Sequence, residues 1–187
     1  MKYDLNRTPS RSAKRVLGAL SDSLVSILLK KPFEDITVGE ICDESGYPRA
    51  TFYNYFDDKY DLLGFYWYMV FRQVKLEDCI QNDVPTSLFA YFERLYDLLG
   101  ENKRIIKKLL INNKRDGYFI SSCKTYLASN VKIMLTKLVK EDDAPIPLDL
   151  LAEHIANTLL LVFGKHFENS ESTKEQTKSY LNFLLKY

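Results

Sequence analysis

Residues 49–56 read Arg-Ala-Thr-Phe-Tyr-Asn-Tyr-Phe. On a helix, Phe52 and Phe56 lie four apart and share one inward face. Arg49, Ala50, Thr51, Tyr53, Asn54 and Tyr55 are left for the other faces. These side chains suit the edges and backbone of double-stranded DNA. An arginine can pair bidentately with guanine and an asparagine with adenine, while the methyl groups of Thr or Ala can meet thymine. Tyrosine hydroxyls can reach phosphates. Lys59, a few residues on, would lie over the DNA backbone at the start of the next helix, where main-chain N–H groups also point at phosphate.

Such side chains act only if neighbouring elements aim them. Thr37-Val38-Gly39-Glu40 has the form of a capping box, with a hydroxyl at the cap and a carboxylate three residues later. A short helix follows, carrying Ile41 and Cys42 inward. Gly46 then suits the left-handed conformation that ends a helix abruptly. Helix, glycine turn and second short helix make the helix-turn-helix arrangement, which lays its second helix in the major groove. Upstream, Val16, Leu20, Leu24, Ile27 and Leu28 recur at three- and four-residue steps and predict a helix over about 10–30, stopped by Pro32. Downstream, Asp58 and Asp61 predict a capped helix running to about residue 80.

The 187 residues carry a formal net charge of +1, so attraction to DNA must be local. Lys2, Arg7, Arg11, Lys14 and Arg15 face only Asp4 in the first fifteen residues and form a basic arm, whereas residues 34–61 are acidic overall. Three scattered cysteines make neither a disulfide framework nor a zinc pair and suit a reducing compartment. The start has no apolar stretch of signal-peptide type, and no apolar run is long enough to cross a bilayer. A cytoplasmic location without membrane attachment is expected. His154 and His166 lack partners at metal spacing and read as core or surface histidines. There is no phosphate loop, nucleophile elbow or H-E-x-x-H, so no catalytic residue, cofactor or metal ligand is assigned.

Further helices are expected over 86–99, 103–112, 117–140, 148–167 and 173–186, with breaks at 82–85, Gly100, Asp116-Gly117, Pro145/Pro147 and Asn169-Ser170. No segment alternates with period two, so the fold class is all-α, with about nine helices. The division expected is 1–57 for the helix-turn-helix head and 58–187 for a larger helical domain. The aromatic run at 65–71 reads first as core. If the chain binds an apolar small-molecule effector, Tyr66, Trp67 and Val70, with Tyr126 and Met134, are its candidate lining. Residues 148–167 are apolar nearly all round, more than one monomer's core needs. Leu151, Ile155, Leu159 and Phe163, with Leu181 and Leu184, are therefore the candidate homodimer interface.

The stretch 36–63 carries I-T-V-x-x-I-C, an S-G turn, R-A-T-F-Y-x-Y-F and K-x-D-L-L. It resembles the DNA-binding domain of the tetracycline-repressor (TetR/AcrR) family, over about residues 10–63. The resemblance implies that Thr37 touches phosphate, that Arg49, Ala50 and Thr51 face bases, that Tyr53 and Tyr55 meet phosphates or base edges, and that Lys59 meets phosphate. It also implies a repressor of transcription, dimeric on a palindromic operator and released by an effector. The alternative is an adaptor or co-activator on the same fold, working through a protein partner. Position 48 departs from the family pattern: a Ser or Thr usually caps the second helix there, and Pro48 cannot.

Overall fold

The computed structural model describes residues 10–168 and 172–186. Lys2 and Arg7 of the basic arm, the break at 169–170 and Tyr187 lie outside the described residues. Nine α-helices and no strand occur among the described residues. The first, α1 (Arg11–Leu28), starts at Ser10, whose Oγ accepts the Ala13 N–H at 3.2 Å. It ends two residues short of Lys30, and its buried stripe includes Leu20, Leu24, Ile27 and Leu28, as its spacing predicts. A 3-10 turn (Phe33–Asp35) leads to α2 (Val38–Ser45), α3 (Arg49–Tyr55) and α4 (Lys59–Phe71).

The helix expected to run to residue 80 stops at Phe71. Two 3-10 turns follow, Arg72–Val74 and Leu76–Cys79, joined by Lys75 at φ 52° in the left-handed region. The cause lies far away in sequence. Arg94 donates Nη1 to the Val74 carbonyl at 3.1 Å and to Asp78 at 3.2 Å, and Val74 and Cys79 are buried. A continuous helix would spend the Val74 carbonyl on the Asp78 N–H; here that N–H goes to the Lys75 carbonyl at 3.0 Å and the Val74 carbonyl is left to Arg94. The remaining helices are α5 (Val84–Glu101), α6 (Lys103–Asn112), α7 (Tyr118–Leu138), α8 (Leu148–Glu168) and α9 (Lys174–Leu184). Asp83 caps α5 through the Thr86 N–H at 2.8 Å, and Thr173 with Gln176 forms a capping box on α9.

By compactness the chain falls into two units. One holds the described residues of Met1–Met69 together with Lys108–Ser122, and the other holds Val70–Lys107 with the described residues of Cys123–Tyr187. In the first, Phe33, Ile36, Ile41, Phe52, Phe56 and Leu62 are fully or almost fully buried. Trp67 belongs to this core. Its Nε1 donates to Ser122 Oγ at 2.8 Å and its ring packs on Phe119 at 4.9 Å. In the second, Met134 is fully buried, Tyr126 stacks on Phe71 at 5.2 Å, and Tyr91 accepts from Asn130 Nδ2 at 3.1 Å. Of the five residues expected to line an effector cavity, Trp67 and Met134 are core, and Tyr66, Val70 and Tyr126 are half-buried.

The face of α8 expected outward is turned inward. Ile155, Leu159 and Phe163 are buried and Leu151 is half-buried, and Leu181 of α9 is buried too. Phe163 stacks on Phe92 of α5 at 5.3 Å. The apolar side chains left outside are Leu150 and Leu161 on α8 and Tyr180, Phe183 and Leu184 on α9. Leu184 alone of the expected interface residues is exposed. Among the described residues no helix is long and apolar enough to cross a membrane, and no cluster of His, Cys, Asp and Glu has the grouping of a metal site.

Candidate nucleic-acid interface

The devices that open and close α2 and open α3 are local. Thr37 Oγ1 accepts the Glu40 N–H at 3.2 Å, and Glu40 Oε2 accepts the Thr37 N–H and hydroxyl, both at 2.9 Å. Lys31 donates to the other carboxylate oxygen at 2.6 Å. Together the lysine and the threonine hold the Glu40 carboxyl down at about 2, from an ordinary 4.5. Gly46 closes α2 at φ 71°, where a Cβ would be strained. The Pro48 carbonyl then accepts the N–H groups of Thr51 and Phe52 at 2.9 and 3.2 Å and opens α3. No side chain caps that end.

On α3, Phe52 and Phe56 are fully buried, with ring centroids 5.6 Å apart, and Phe56 packs onto Phe65 of α4. Arg49, Ala50, Tyr53 and Asn54 are exposed, and Thr51 and Tyr55 are half-buried. The outward face is thus the one the spacing of the two phenylalanines predicts. Arg49 does not simply project outward. Its guanidinium crosses to α2 and lies against the bare Cα of Gly39, where an added Cβ would sit 2.5 Å from Nη2.

Two expected phosphate ligands are engaged by the protein itself. Lys59 Nζ donates to the carbonyls of Phe33, Glu34 and Ile36 at 2.9, 2.8 and 2.8 Å, which uses all three ammonium hydrogens. It also lies over the Phe33 ring at 4.8 Å. Burial pulls its pKa below the ordinary lysine value, and the nearby charges of Glu34 and Asp35 pull it up. The main-chain amides beside it are taken as well, since Asp58 Oδ1 accepts the N–H groups of Tyr60 and Asp61 at 2.9 Å each. In this structure Lys59, expected at a phosphate, clasps the loop before α2. The Thr37 hydroxyl, with one hydrogen to give, likewise gives it to Glu40.

The same loop is gripped from another side by residues the sequence did not single out. The Phe33 N–H donates to Asn113 Oδ1 at 2.9 Å, and Asn112 Nδ2 donates to the Leu28 carbonyl at 3.1 Å. The Tyr118 N–H donates to Glu34 Oε1 at 2.8 Å, and the Tyr118 ring stacks on Phe33 at 5.6 Å. Asn113 is 2% exposed, so its bond to the Phe33 N–H forms out of water. Nothing in the order of the sequence marks an asparagine at the end of α6 as a partner of residue 33.

Residues 23–64 match the family described as bacterial regulatory proteins, tetR family. The fold is similar to that of a protein from Syntrophomonas wolfei described as a TetR-family transcriptional regulator. The TM-score is 0.66 at 15% identity, over 94% of this chain and 95% of the other. A comparison with curated proteins finds no match.

Proposed function

We propose that the chain is a transcriptional repressor that binds a palindromic operator as a homodimer, a reading supported by the match of residues 23–64 to the tetR family of bacterial regulatory proteins and by a fold similar to that of a TetR-family regulator. The observation that carries this reading is the exposed face of α3. Arg49, Ala50, Tyr53 and Asn54 face outward while Phe52 and Phe56 anchor the helix from behind. Arg49 is the base-reading cation of the set, and Asn54, Thr51 and Ala50 supply the remaining base contacts. Tyr53 and Tyr55 take phosphates or base edges. Thr37 and Lys59 contribute by holding α2 and its leading loop.

The homodimer reading now rests on Leu150, Leu161, Tyr180, Phe183 and Leu184, all exposed and apolar. On α8, residues 150, 154, 157 and 161 follow the helical repeat along one face. A twofold contact there doubles each apolar residue against its copy, and a palindromic operator presents its half-sites about 34–36 Å apart, one turn of DNA. Release by an apolar small molecule belongs to the same proposal and rests on the aromatic content of α4.

Selection from a random DNA pool with the full chain tests the reading. The expected outcome is an enriched inverted repeat. Failure to enrich any sequence contradicts the repressor reading and favours an adaptor that works through a protein partner. Titration of apolar compounds against the operator complex, followed by Trp67 emission and DNA release, tests the effector.

A further inference from the structure

We propose that Gly39 determines which base pair Arg49 reads, an inference that rests on the DNA-binding reading above and sharpens it. Gly39 is the second residue of α2, in its first turn. No backbone strain calls for glycine there, since Gly46 is the glycine with positive φ among the described residues. Alanine would favour the helix. What glycine provides is room. A Cβ at position 39 would lie 2.5 Å from Nη2 of Arg49, 3.4 Å from Cζ and 3.7 Å from Nε. The guanidinium therefore occupies the place where α2 would otherwise carry a side chain. The charge is also felt one turn along α2. Burial raises the pKa of the Cys42 thiol, and Arg49 draws it back.

Two physical consequences follow from this seat. No hydrogen bond or ion pair engages Arg49 with another described residue, so its fork of five donors is available to a base edge. A guanidinium resting on a helix also samples fewer rotamers than one in open solvent, so less entropy is lost when it grips a base. Its position is then set by α2 as well as by α3. Removing the seat should change what Arg49 reads without harming the fold, because the obstructing atoms are the far end of a flexible side chain.

The test compares wild type, Gly39→Ala, Arg49→Ala and the double variant, all as full chains. Each is measured on the selected operator and on its single-base-pair variants, and each is melted. Arg49→Ala is expected to lose about 5- to 150-fold discrimination at one base pair per half-site. Gly39→Ala should lose at least about fivefold at that same base pair, with the other positions unchanged and a Tm equal to or above wild type. In the Arg49→Ala background, Gly39→Ala should change nothing further. Wild-type discrimination in Gly39→Ala overturns the proposal, as does an equal loss at all positions or the same loss without Arg49. A Tm below wild type also overturns it, since the glycine would then serve packing. A wild-type protein that selects no sequence contradicts the DNA-binding reading itself, and this inference with it. Selection by wild type with an unaltered profile in Gly39→Ala contradicts the inference alone.

Discussion

The helix pairs α2–α3 and α8–α9 bury their apolar residues in different ways. In α2 and α3 the apolar side is narrow, and the residues it turns inward, Ile41, Cys42, Phe52 and Phe56, are the buried ones. In α8 and α9 apolar residues occur nearly all round. The stripe assigned to the outside, Ile155, Leu159 and Phe163, is inside, and Leu150 and Leu161 are outside. Periodicity reports facing only where polar and apolar sides contrast. Where they do not, the choice falls to a partner distant in sequence. Here one such partner is Phe92, which stacks on Phe163.

The largest effect should come from breaking this comparison within α8. Leu159→Asp places a carboxylate at a fully buried position and should cost more than about 4 kcal/mol. Loss of helical circular dichroism at room temperature is the expected result. A folded monomer would return Leu159 to an interface. Lys59→Ala should come next. It strips three carbonyls of their donor at about 1–3 kcal/mol, read as a lower urea midpoint at unchanged m. Operator binding should weaken, yet the slope of log affinity against log salt should hold. A slope shallower by about one would restore a phosphate contact to Lys59.

Smaller in stability is Leu161→Asp with Phe183→Asp, both at exposed positions. Helicity and melting should stay near wild type, while sedimentation shifts from dimer to monomer and operator affinity collapses. A surviving dimer would move the interface elsewhere. Smallest is Glu40→Gln at the α2 cap. The Glu40 pKa falls on folding from 4.5 to about 2. Its contribution is therefore fully present above about 4.5 and lost as pH drops toward about 2. The stability gap between wild type and Glu40→Gln should be flat above that window and close within it. A gap that persists at the lowest pH would deny the carboxylate its part in the capping box.

What was legible in the sequence was local. The Thr37–Glu40 cap, the left-handed Gly46, the Phe52/Phe56 pair and the bounds of α6 all follow from residues within a few positions of one another. What was not legible was made by distance. Lys59 looked like a surface cation because its three carbonyl partners stand 23 to 26 residues earlier. Asn113 and Glu34 carried no signal, since each partner lies about eighty positions away. α4 ended early for a similar reason, its continuation being bent to meet Arg94. Gly39 did carry a signal, a costly residue in a helix with no turn to explain it. It points to space, and only the fold shows what fills the space.

The piece Lys108–Ser122 that packs within the first unit has a consequence for how the chain is made. A ribosome delivers α1 to α4 first, yet the partners of Phe33 and Glu34 are Asn113 and Tyr118. Until they emerge, the Phe33 amide and one face of its ring have only water to meet. Domains ordinarily fold as they leave the ribosome, N-terminal part first. This head must instead wait through residues 70–107, all of which belong to the other unit. On the DNA-binding reading proposed above, the loop that leads into α2 lacks its Asn113 and Tyr118 partners until more than half of the chain has been made.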